Sequence, residues 1–90
     1  MTNKRKMKKS INLICEELFA EGIAVTLYSN GKNRPNGEAL LFSILKLQHN
    51  AISRVSHPEP GMPAKRYYRD LWEKFTNDAS EIIDQINNMH

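Results

Sequence analysis

The chain has a single cysteine, Cys15, so no disulfide can form within it. No Cys/His set has the spacing of a zinc site, and such cysteine usage fits a reducing compartment. Long apolar runs are missing as well. The stretch after the basic N-terminus, Ile11 to Cys15, is cut off by Glu16 and Glu17 and then by Glu21. A secretory leader needs about 7–15 uninterrupted apolar residues and a membrane helix about 20. The sequence therefore predicts a cytoplasmic protein with no membrane insertion. Internal repeats are absent, and so is any low-complexity tract beyond the N-terminal charges. No nucleophile, base and orienting group stand together, so neither an enzyme nor a cofactor, metal or small-molecule substrate is expected.

What is present is helical periodicity divided by two turn-rich segments. SNGKNRPNG (Ser29 to Gly37) and HPEPGMP (His57 to Pro63) carry Asn-Gly, Pro-Asn-Gly and Pro-Gly breakers. Pro58 disfavours helix at His57, so the middle segment should end near Ser56, and Pro63 suits the first turn of the last helix. Each segment between breakers has a period near 3.6. In the last one, Tyr68, Leu71, Trp72, Phe75, Ala79, Ile82, Ile83, Ile86 and Met89 share one arc. In the middle one, Leu40, Leu41, Ile44, Leu45, Leu47, Ala51, Ile52 and Val55 form a broader stripe. The run Ala24 to Tyr28 is β-branched enough to suggest a strand, but nothing nearby could pair with it.

At 90 residues the chain is one domain of modest buried area. Short connections between amphipathic helices make antiparallel neighbours. The predicted fold is all-α, a three-helix up-down-up antiparallel bundle with helices near 8–28, 37–56 and 63–89. A basic arm over residues 1–9 is expected to be frayed, with the bundle domain occupying 10–90.

The first segment is unusual in being apolar on two sides. Ile11, Ile14, Cys15, Leu18, Phe19, Gly22 and Val25 make one face; Leu13, Ala20, Ile23 and Leu27 make a second, nearly opposite. A helix of that kind is central or has a second partner. With Phe42, which falls off the stripe of the middle helix, this second face is the candidate interface. It implies a homo-oligomer, in the simplest case a two-fold dimer whose antiparallel pairing sets basic ends beside acidic ones, and a protein partner.

Charge gives the alternative. The net charge of +3 hides an asymmetry: Lys4, Arg5, Lys6, Lys8 and Lys9 stand ahead of a remainder with eight basic and ten acidic side chains. In an up-down-up bundle the starts of helices 1 and 3 share an end with the finish of helix 2. That end collects the arm with Arg54, Lys65, Arg66 and Arg69, and the opposite end carries Lys32, Arg34 and the acidic last turns. Basic residues at a helix N-terminus oppose its dipole, so the arm does not serve helix stability. Together these nine side chains are the candidate polyanion-binding set, and nucleic acid is the alternative partner. Against it, both connections exceed the three- or four-residue turn of a helix-turn-helix.

Other polar features read as structural. His57 and Glu59 sit in a proline-stiffened connector, two potential ligands where a metal needs three or four. Cys15 is a small hydrophobe on the core face. Tyr67, Tyr68 and Trp72 are interleaved with basic residues, as a stacking surface for nucleic acid requires, yet Tyr68 and Trp72 belong to the core stripe and only Tyr67 falls off it. Gln48 lies inside the apolar arc of the middle helix. It must find a partner there or reach water at the edge of the seam.

Overall fold

A computed structural model describes residues 3–28 and 34–89. It contains three helices, α1 (Lys4–Tyr28), α2 (Arg34–Ser56) and α3 (Ala64–Asn88), with no strand among the described residues. Their order in contact is antiparallel. Asn12 meets Gln48, Gly22 faces Leu40, Leu41 and Ile44, and Gly37 faces Thr26. Residue numbers thus fall along α2 as they rise along α1. At the other end, Tyr67 and Tyr68 at the start of α3 reach Arg54 and Val55 at the finish of α2. The all-α, three-helix bundle read from periodicity is the fold, and the run Ala24 to Tyr28 is helical.

The core is built from one stripe of each helix. Met7, Ile11, Cys15, Leu18 and Val25 come from α1, and Leu40, Ile44, Ala51 and Val55 from α2. Tyr68, Leu71, Phe75, Ala79, Ile82 and Ile86 come from α3. Two expected core residues lie outside it: Leu45 is 51% exposed and Ile83 43% exposed. The apolar stripes of α2 and α3 are wider than a three-helix arrangement can cover.

Helix α1 begins at Lys4, ahead of the start expected near residue 8, so residues 4–9 of the basic arm belong to the helix. Asn3 explains the difference. Its side-chain oxygen accepts from the backbone N–H of Arg5 (2.9 Å) and of Lys6 (3.4 Å), satisfying donors that a helix start leaves open. Met7, only 1% exposed, then anchors these turns in the core.

Helix α2 also starts early, at Arg34, because Pro35, Asn36 and Gly37 fall in its first turn rather than before it. A proline there sacrifices no intrahelical hydrogen bond. Pro63 is the residue before α3, not inside it. Residues 29–33, and with them Lys32, lie outside the described residues.

The second connection is a defined turn. Met62 N–H donates to the carbonyl of Glu59 at 3.4 Å, with Pro60 and Gly61 between them and Gly61 at φ 86°. That is the pattern of a type II turn, whose third residue needs a positive φ.

Candidate functional site

The outward side of α1 is the most unusual surface of the bundle. Leu13, Ala20 and Leu27 recur every seventh residue, a spacing that keeps them on one side of a helix. Leu13 is 54% exposed, Leu27 76% exposed, and Ala20 is exposed between them. Ile23, 38% exposed, stands in a second row with Lys9 and Glu16, again at intervals of seven. All of these point away from the buried row Ile11, Leu18 and Val25.

Phe42 does not join them. It is 68% exposed, but it sits two positions from both Leu40 and Ile44, which meet Gly22 of α1. Residues two apart lie on nearly opposite sides of a helix. Phe42 therefore faces away from α1, and the five residues predicted as one interface form an α1 face and a separate aromatic on α2.

The nine predicted polyanion-binding residues are likewise only partly brought together. The start of α1, the finish of α2 and the start of α3 share one end, as the antiparallel order requires. Lys4, Arg5, Lys6 and Lys9 are exposed and Lys8 half-buried, and none of them is in an ion pair among the described residues. Arg66 and Arg69 differ. Each lies 3.8 Å from a carboxylate oxygen of Asp70, which draws them toward their own helix. Arg54 and Lys65 are exposed. At the far end Arg34 is paired with Glu38 at 3.4 Å.

Tyr67 corrects the sequence reading. It was expected off the core stripe, yet it is 6% exposed, while Trp72 is only half-buried, tilted against Phe75. The reason is a hydrogen bond that periodicity cannot register. Tyr67 Oη donates to the carbonyl of Arg54 at 2.8 Å and also lies 3.2 Å from that of His57. Tyr68 Oη donates to the carbonyl of Val55 at 3.2 Å. The last carbonyls of a helix have no partner within it, and the two tyrosines supply one from α3. Their rings meet edge to face, centroids 5.3 Å apart. Neither is free to stack on a base.

Gln48 finds the partner that its position demanded. Its Nε2 donates to Asn12 Oδ1 at 2.8 Å, half-buried between α1 and α2. The pair fixes the register of the two helices, since a slide by one residue would leave both amides unsatisfied.

The other polar candidates are structural in geometry. His57 Nδ1 lies 2.9 Å from the carbonyl of Ser53, one turn back. Burial pushes the Cys15 thiol up from 9.0 to about 11, the direction opposite to a reactive thiolate. Among the described residues no group of three or more His, Cys, Asp or Glu is placed to hold a metal ion.

An open groove of about 510 Å³ runs between α2 and α3, lined in part by Leu47, Ala51, Leu71, Phe75 and Ile82. Its Lys74 is already paired with Asp78 at 3.2 Å. Among the described residues no helix is long and apolar enough to cross a membrane. No family model, no curated protein and no solved structure matches this chain.

Proposed function

We propose that the chain is a non-enzymatic interaction module whose working surface is the outward face of α1, through which it self-associates and binds another protein. The observation that carries this reading is the exposure of Leu13 and Leu27, 54% and 76%, on a helix whose opposite side is already committed to the core. Isolated exposed apolar residues are ordinary, but a row of them at heptad spacing along a helix is the sequence of a second seam.

Sedimentation velocity over a concentration series tests the reading, with the intact chain compared against Leu27→Lys. The intact chain should sediment as a larger species at the higher concentrations. Leu27→Lys should remain monomeric and keep its helical circular dichroism, because Leu27 makes little of the core. Equal behaviour of the two chains at every concentration would remove this face from consideration.

A second reading has one observation in its favour. The exposed cations at the start of α1 are unpaired among the described residues, and a surface of that kind attracts polyanions. Nucleic-acid binding would be read by fluorescence anisotropy at low and physiological salt, comparing the intact chain with Lys4→Gln, Lys6→Gln and Lys9→Gln combined. Deleting residues 1–9 is unsuitable, since it would remove Met7 from the core. Binding that collapses both with salt and with these substitutions would favour this reading.

A further inference from the structure

The geometry points to a second copy of this chain as the occupant of the α1 face, docked antiparallel about a two-fold axis near residue 18; this rests on the interaction-module reading above. The exposed side of α1 is two interleaved heptad rows, Leu13, Ala20 and Leu27 in one, Lys9, Glu16 and Ile23 in the other. Such rows form the seam of a two-helix pair, and the orientation decides which residues oppose each other.

In a parallel pair each residue faces its own counterpart. Lys9 would meet Lys9 and Glu16 would meet Glu16, like charges held together inside the seam. In an antiparallel pair the two rows face one another. Leu13 then opposes Ile23 of the second copy, Ala20 opposes Glu16, and Leu27 opposes Lys9. The direct Lys9–Lys9 and Glu16–Glu16 contacts disappear from the seam, leaving Glu17 and its counterpart at its edge beside the axis, and apolar side chains meet at Leu13 and Ile23. The aliphatic stem of Lys9 lies along Leu27, leaving its ammonium at the edge.

The ends supply an independent argument from charge. Helix α1 has no acidic residue in its first turn and no basic residue in its last, so its dipole is opposed at one end and uncompensated at the other. Antiparallel docking brings Lys9 of one copy to the C-terminal turn of the other, twice by symmetry. Each copy supplies the cation that the other's helix end lacks. The overlap, from Lys9 to Leu27, is about 28 Å of helix at 1.5 Å per residue.

Distances between like residues in the dimer test this directly. Ser10, Glu17 and Ala24 stand beside the seam, again at heptad spacing, and are half-buried, exposed and exposed. Each is changed to Cys in turn in the full-length chain and spin-labelled. The chain carrying only the buried Cys15 is the labelling control.

About a two-fold axis near residue 18, like residues are separated along the helix by roughly 24 Å at position 10, 3 Å at position 17 and 18 Å at position 24. To these is added an interaxial distance of about 8–10 Å. Sedimentation of Leu27→Lys is measured alongside, with dimerisation expected to weaken by at least about tenfold from the loss of one buried leucine per copy.

A minimum at position 17 that rises on both sides, together with that weakening, is the expected result. Equal distances at all three positions would overturn the antiparallel arrangement while leaving the α1 face as an interface. A chain that stays monomeric at every concentration would overturn the second copy as occupant. Dimerisation unaffected by Leu27→Lys would overturn the choice of face and the functional reading with it.

Discussion

Two buried glycines on the α1–α2 interface should respond to the same substitution with opposite signs. Alanine favours an interior helical position over glycine by about 0.8–1 kcal/mol, so Gly→Ala in a helix is ordinarily stabilising. At Gly37 a Cβ would stand 2.8 Å from both Cβ and Cγ2 of Thr26, well inside the 3.5–4.0 Å at which carbon atoms attract. Thr26 cannot easily yield. It is β-branched, and its Oγ1 donates to the carbonyl of Gly22 at 2.7 Å, so moving it costs a rotamer and a hydrogen bond. Forcing the helices apart instead falls under overpacking, which costs about 1–3 kcal/mol.

Gly37→Ala should therefore be destabilising by about 1 kcal/mol net, with a melting temperature lower by about 4–8 °C for a domain of this size. At Gly22 the nearest obstacle is Leu41 Cδ2 at 2.9 Å, the far end of a flexible and only half-buried side chain. It can rotate away, and Gly22→Ala should be neutral or stabilising by up to about 1 kcal/mol. Urea unfolding followed at 222 nm, at one fixed protein concentration because association adds to stability, reads both variants. A Gly37→Ala midpoint equal to or above that of the intact chain would refute the close-approach argument. In a Thr26→Ala background the Gly37→Ala penalty should shrink, since the added Cβ also meets Thr26 Oγ1, and Oγ1 and Cγ2 are both gone while only Cβ remains.

Removing the cap with Asn3→Ala should cost about 1 kcal/mol and speed amide exchange over Arg5 to Met7, leaving the rest of α1 protected; unchanged exchange there would show that Met7 alone holds the first turns. Tyr67→Phe deletes a hydroxyl on the terminal carbonyls of α2 and should lower stability by about 1 kcal/mol, with faster exchange confined to residues near Arg54 to His57. For Cys15 the folded thiol titrates near 11 and the unfolded one near 9.0. The unfolded state therefore loses its proton first as pH rises. The stability difference between the intact chain and Cys15→Ala should be constant below pH 9 and shift against the intact chain between about 9 and 11; a flat difference across that window would mean that the thiol is in contact with water. At pH 8 Cys15 should resist alkylation until urea unfolds the chain.

Periodicity carried most of the fold. A 3.6-residue repeat, two proline- and glycine-rich breaks and short connections leave a chain of this length little choice but an antiparallel helical bundle. The second apolar row of α1 was equally legible, because a helix with two greasy sides declares itself in one dimension. What depended on tertiary structure were contacts between residues far apart in sequence. Tyr67 looks like a surface residue by spacing, and only the end of α2, across the second turn, gives its hydroxyl two carbonyls to reach and so draws its ring inside. Gln48 looks like a polar fault in an apolar arc until Asn12 is brought opposite it.

Gly37 looks like a helix breaker because its neighbours are proline and asparagine. Packed against Thr26, it is the residue that lets two helices approach. Phe42 could be grouped with Leu13 and Leu27 on composition alone, but helix α2 turns it the other way. Sequence by itself determined which faces are apolar, since that follows from the angle per residue. Which of those faces find each other, and which remain open, was decided by the relative rotation of three helices, and no local pattern encodes that rotation.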